Sequence, residues 1–238
     1  MPRTHLIYNN VFSDEHGVVL SGEETWLKPT PIFERVSIPG RNGDLVRFTG
    51  AYSNVQISYQ CGIPRDFSRR FASFTSALLR EPGYHRLEDD YHPELFRMAA
   101  VSEITAPELS QYGASGSFAL TFDCKPQSFL KSGEQPMIFE SSGTLFNPTG
   151  YAAKPLLRVW GTGEVWIGAY RVTILSANDY TDLDCETEDA YKDDAADNRN
   201  SSITLNTDHF PRIEAGKQAL QLGSGIQKVQ IIPRWWTL

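Results

Sequence analysis

Between Ser37 and Leu45 the chain reads SIPGRNGDL, with a proline, two glycines and an asparagine inside one short polar stretch. Whether this stretch cradles an anion or reverses the backbone decides the fold. A phosphate loop sets its glycines after a strand and before a helix, so that helix amides point at the ligand. Here IFERVSI, Ile32 to Ile38, reads as a half-buried strand, and LVRF, Leu45 to Phe48, opens another. Neither GxGxxG nor GxxxxGK[ST] can be written across it. Asn42-Gly43 is instead a hairpin signal, because both residues tolerate positive φ. The stretch therefore predicts a turn between two strands, with Arg41 and Asp44 displayed together on it.

Alternation continues outward from this turn. NVQISYQC (Asn54 to Cys61), ELFRMAAVSEI (Glu94 to Ile104), SFALTFDC (Ser117 to Cys124), LLRVW (Leu156 to Trp160), EVWIGAYRVTIL (Glu164 to Leu175) and QKVQII (Gln227 to Ile232) each read as one half-buried strand. Short strands separated by Gly, Pro, Asn and Asp point to sandwiches or barrels. One segment departs from the pattern. In PRDFSRRFASFTSALLREPG, Phe67, Phe71, Phe74, Ala77 and Leu78 form a helical stripe, with Arg69, Arg70, Ser73 and Arg80 off it. Pro64 suits a first turn and Pro82-Gly83 a stop, which predicts a helix over about residues 65–80. Its basic face is expected either to meet solvent or to meet a neighbouring subunit. Between Lys125 and Lys154 the sequence turns rich in Pro, Gly and Ser, with one strand candidate from Met137 to Glu140. We place a domain boundary there: an N-terminal β domain with one helix over residues 1–134 and an all-β domain over residues 135–238.

Composition narrows the function. The chain has 238 residues, 40% hydrophobic and 21% charged, enough for a buried core in an ordinary globular protein. No apolar run approaches the roughly 20 residues that span a bilayer, and MPRTHLIYNN lacks the pattern of a signal peptide. From Asp179 to Asp197 nine acids face only Lys192, a balance of −8, so the remainder of a chain of net charge −7 sums to +1. A general nucleic-acid-binding surface is therefore not expected. Cys61, Cys124 and Cys185 each fall on the apolar side of an alternating segment and are expected reduced and packed.

Motifs for chemistry are absent. The histidines (His5, His16, His85, His92, His209) form no HxxxH or HExxH pair, and HRLEDDYH (His85 to His92) reads as a solvated loop. No GxSxG elbow occurs. Asp182, Asp184, Glu186 and Glu188 alternate, but no glycine turns the chain as a calcium loop requires. They are expected to form the outward face of a strand that buries Leu183 and Cys185. No metal, cofactor or catalytic residue is expected. Trp160, Trp166 and Tyr170, with Trp235 and Trp236, are candidates either for stacking on sugar rings or for core packing.

The SIPGRNGDL turn, the FDCKP strand end (Phe122 to Pro126), DYTDLDCETEDAY (Asp179 to Tyr191), HFPRIEAG (His209 to Gly216) and the terminal KVQIIPRWWTL (Lys228 to Leu238) together resemble the distal tail protein (Dit) family of long-tailed bacteriophages. Pro39, Gly40, Arg41, Asn42 and Gly43 match the family's turn pattern of PGR, a polar residue and Gly. The resemblance implies a ring-forming N-terminal β domain and a galectin-like C-terminal β-sandwich. It also implies a hexameric ring at the virion tail tip, assembled in the host cytoplasm. Such a ring joins the tail tube protein to a tail-tip or tail-associated protein and leaves a channel for DNA, with no enzymatic turnover and no membrane partner. Pro39 to Asp44 would then contact a neighbouring subunit. A second reading is a carbohydrate-binding sandwich that meets cell-wall glycans through Trp160, Trp166 and Tyr170. A third, a glycoside-cleaving enzyme, needs two converging carboxylates that no spacing indicates.

Overall fold

The computed structural model describes residues 4–21, 23–177 and 179–238; the first three residues of MPRTHLIYNN, which open the expected first domain, lie outside them. The chain forms two compact units, Met1–Ser128 with Leu238, and Phe129–Thr237.

The first unit contains β1 (Leu6–Tyr8), β2 (Val11–Phe12), β3 (Val19–Ser21), β4 (Pro31–Val36), β5 (Leu45–Tyr52), β6 (Val55–Ile63), α1 (Phe67–Leu78), β7 (His85–Asp89), β8 (Leu95–Ile104), β9 (Glu108–Ser110) and β10 (Ser115–Leu130), the last running on past residue 128. The main sheet has the order β2-β1-β7-β8-β10-β6-β3, with β9 hairpinned onto β10, while β4 and β5 pair separately. Register follows from alternation. Opposite one another on β6 and β10 stand Cys61 and Phe118, Tyr59 and Leu120, Ile57 and Phe122, Val55 and Cys124. All of these are buried, and Phe67, Phe74 and Leu78 of α1 pack on the same core.

The helix is shorter at both ends than the pattern predicts. Asp66 adopts φ 54°, a left-handed conformation that keeps residues 65 and 66 out of the helix. At the other end the chain tightens, with Arg80 N donating to Ala77 O at 3.4 Å. Of its basic face, Arg70 turns back to donate to His16 O at 3.2 Å, while Arg69 is exposed.

The second unit contains β11 (Met137–Phe139), β12 (Gly143–Asn147), β13 (Leu156–Gly161), β14 (Gly163–Ile167), β15 (Tyr170–Ile174), β16 (Tyr180–Asp184), β17 (Asp189–Lys192), β18 (Asp194–Asn198), β19 (Ile203–Leu205), β20 (Gly216–Leu222), β21 (Ile226–Ile232) and β22 (Trp236–Thr237). Two sheets, β11-β21-β13-β16-β17-β18 and β12-β20-β14-β15-β19, share one core of Leu145, Leu157, Val159, Val165, Ile167, Val172, Leu183, Leu220, Val229 and Ile231. At one end, the β13–β14 turn abuts the β20–β21 turn. Gly161 (φ 98°) and Gly225 (φ 96°) make this approach possible, since a Cβ on Gly161 would lie 2.1 Å from Gly225 O. Trp235 is buried, and Trp236 stacks on Tyr151 at 4.5 Å and donates its indole N–H to Ala152 O at 3.0 Å. The terminal tryptophans thus fasten the chain end to the unit.

Four sequence expectations need correction. EVWIGAYRVTIL is a hairpin, β14 and β15, because Gly168 at φ 57° opens a two-residue turn that pairs Ile167 with Tyr170. HRLEDDYH is not a solvated loop: it contains β7, and the side chains of Asp89 and His92 are buried. The acidic run does not form one long strand face. The strand β16 stops at Asp184, residues 185–188 turn, and Asp182 is buried against Arg158, which donates to it at 2.6 and 2.8 Å. Asp184 accepts two bonds from Arg234, at 2.6 and 3.0 Å; burial alone would raise its pKa, but these bonds hold it below the ordinary 3.8. Finally IFERVSI, expected half-buried, is exposed on both faces as β4.

The three cysteines are free and buried, as alternation indicates. Burial pushes the Cys61 and Cys124 thiols up to about 12 and raises that of Cys185 as well. Native protein at pH 8 should therefore resist alkylation by iodoacetamide, and all three thiols should react once it is denatured. Mass spectrometry reads the result.

Candidate assembly surface

In β4 and β5, Val36 stands opposite Leu45, Arg35 opposite Val46, Glu34 opposite Arg47 and Phe33 opposite Phe48. Residues 32–51 are all exposed. One face carries Phe33, Arg35, Val46 and Phe48, with Phe48 also 5.4 Å from the Tyr52 ring. The other carries Ile32, Val36 and Leu45 around a Glu34–Arg47 ion pair at 3.4 Å. Ile32, Phe33, Val36, Ile38, Leu45, Val46 and Phe48 are each between 37% and 53% exposed. Taking one such side chain out of water contributes on the order of 1 kcal/mol. Two strands alone are at best marginally stable in water. With apolar side chains in water on both faces, the arm has little of its own to stabilise it.

SIPGRNGDL caps the arm. It is a turn, as the sequence indicates, but its mechanism differs from a two-residue Asn-Gly hairpin. The strands end at Val36 and Leu45, so residues 37–44 form the loop. Arg41 N donates to Ile38 O at 3.1 Å, with Pro39 and Gly40 (φ 80°) between them, the type II arrangement. Gly43 (φ 80°) bends the chain a second time, whereas Asn42 has no positive φ. Arg41, Asn42 and Asp44 point into solvent, and among the described residues neither Arg41 nor Asp44 has an ion-pair partner.

The structure does not gather Trp160, Trp166 and Tyr170. Trp160 on β13 and Trp166 on β14 belong to different sheets, each alternating with core residues. Lys228 lies over the Trp160 ring at 4.2 Å, and the Tyr180 ring is 5.7 Å away. Arg171 lies over Trp166 at 5.3 Å while the indole N–H donates to Glu164 at 3.3 Å. Tyr170 donates its hydroxyl to Glu214 at 3.2 Å. Each ring is engaged inside the chain. Among the described residues, no group of His, Cys, Asp and Glu is arranged to hold a metal ion. The sequence reading singled out the loop and did not anticipate that the strands beneath it are exposed on both faces. The available signal was IFERVSI and LVRF carrying large apolar residues on both parities, which a strand with one buried face does not need.

No family model matches the chain, and no curated protein matches it. Among solved structures it is similar to the SPP1 Dit (gp 19.1) protein, described as a paradigm of the hub adsorption apparatus in phages infecting Gram-positive bacteria. That likeness covers 99% of each chain, with a TM-score of 0.72 and 11% identity. A chain of the phage P2 baseplate, in its activated conformation with Ca, matches over 97% of this chain and 98% of its own, with a TM-score of 0.52 and 11% identity. The same baseplate with Sr gives 96% and 97%, a TM-score of 0.51 and 11% identity. At such identities the likeness is one of fold, and over 99% of its length the chain carries the fold of the SPP1 Dit hub protein.

Proposed function

We propose that this chain is a structural component of a phage tail's distal end, whose copies join head to tail into a ring linking the tail tube to the adsorption apparatus. The observation that carries this reading is the arm of β4 and β5, apolar on two chemically different faces. Two unlike faces suit a heterologous contact, and heterologous contacts close into rings when the rotation allows. The hub fold supports the same reading, and the resemblance implies six copies. In this role Pro39 to Asp44 reach the neighbouring copy, DNA passes the central channel without being recognised, and no reaction is catalysed.

Light scattering across a concentration range tests the reading. We expect a particle mass rising to a closed multiple of the chain mass; one-chain mass at every concentration counts against it. Within that assay, Arg41→Ala should weaken association about tenfold. It should leave the thermal midpoint unchanged, since the side chain is exposed with no ion-pair partner among the described residues. An unaltered oligomer profile removes Arg41 from the contact.

A further inference from the structure

The base of the arm is closed by Ser53 N donating to Thr30 O at 2.9 Å and Thr30 N donating to Ser53 Oγ at 3.2 Å. A two-stranded ribbon held there alone could swing about its base. Both of its roots, however, are gripped by side chains gathered around a carboxylate.

On the incoming root the carboxylate is Asp89. It accepts from Tyr59 Oη at 2.6 Å and from His92 N at 2.8 Å, and it contacts His92 Nδ1 at 3.0 Å and Arg97 at 3.7 Å. The Asp89, His92 and Arg97 side chains are 2%, 8% and 11% exposed. A buried carboxylate is tolerable only with its donors in place, so this group is rigid. The arm's approach rests on it. Arg97 donates to Thr25 O at 3.3 Å, and the Trp26 ring lies 4.4 Å from the His92 ring, five residues before β4 begins. Trp26 is itself 66% exposed, so this contact, rather than enclosure in the core, places its ring.

On the outgoing root the carboxylate is Asp123. Asn54, two residues after β5, donates to Asp123 Oδ2 and Tyr84 Oη, both at 2.7 Å. Tyr84 donates to Asp123 at 2.6 Å and Gln56 donates to it at 2.9 Å. The two groups meet opposite sides of β6, because Tyr59 points into the core and Gln56 points out.

We propose that these two carboxylate clamps, one on each face of the sheet, aim the arm, so that each copy holds it in one direction before a partner arrives. Trp26 and Asn54 are the positioning residues. An arm already aimed loses less freedom on association than one that must be ordered in the contact.

Buried native thiols leave introduced cysteines as the reactive ones. Spin labels on Asn42→Cys at the arm's tip and Gln60→Cys, exposed on β6, report their separation by double electron–electron resonance in dilute protein. We expect a narrow distribution in the otherwise native chain, broadening about twofold when Trp26→Ala and Asn54→Ala are combined. The thermal midpoint should stay within about 2 °C, because both residues are exposed. A double variant as narrow as the parent, or a parent already broad, overturns the proposal. Since the label pair is read in single chains, the outcome is separate from ring closure, which the mass measurement decides.

Discussion

Gly161→Ala is expected to destabilise the second unit strongly. Two effects add. At φ 98° an alanine occupies a backbone conformation that L-residues avoid, at a cost of about 1–2 kcal/mol. Its Cβ would also lie 2.1 Å from Gly225 O, a backbone atom with no rotamer to change. The β20–β21 turn must then move away, which disturbs the pairing of β13 with β21, where Val159 meets Val229 in the core. A total of at least about 3 kcal/mol follows, a large fraction of a domain's net stability. Chemical denaturation followed by tryptophan fluorescence reads it, with Gly150→Ala as the comparison, since a Cβ there meets nothing within 4 Å. Equal midpoints for the two variants would show that the paired turns yield freely.

Val46→Glu should abolish association while leaving the fold intact. Val46 stands opposite Arg35 on the aromatic face of the arm, so the new carboxylate gains a cross-strand partner and the hairpin itself is not weakened. Covered by a neighbouring copy, the same charge is taken out of water beside Phe33 and Phe48. Even beside Arg35, desolvating that charge costs about 3 kcal/mol or more, which corresponds to at least a hundredfold weaker association. Sedimentation should show one-chain mass at concentrations where the parent is assembled, with the same melting temperature. A variant that assembles normally would mean that this face stays in solvent.

Much of this architecture was legible in the sequence, and the reason is local. Val55, Ile57, Tyr59 and Cys61 repeat with period two, and the structure pairs them residue for residue with β10. The stripe of Phe67, Phe74 and Leu78 likewise announced the helix. What escaped depends on contacts made across long stretches of chain. Asp89 looks like a solvated acid in HRLEDDYH until Tyr59 and Arg97 arrive from other strands. Asp182 looks outward-facing until Arg158, 24 residues earlier, covers it. Alternation located the strand of IFERVSI, but it could not say whether either face would be covered, because that depends on surfaces outside the chain. The loop was found from its glycines. Its turn type was not, since Pro39-Gly40 and Asn42-Gly43 compete for the reversal and only the Ile38–Arg41 hydrogen bond decides.

The outermost strand of the six-stranded sheet, β18, is irregular. Its pairing with β17 slips between Tyr191 and Lys192, and Asp194 and Asp197 are exposed along it. Such a border repels an incoming strand twice over, by broken spacing of its amides and by negative charge. Copies held at high concentration are thereby hindered from zipping sheet to sheet along this border into endless fibres.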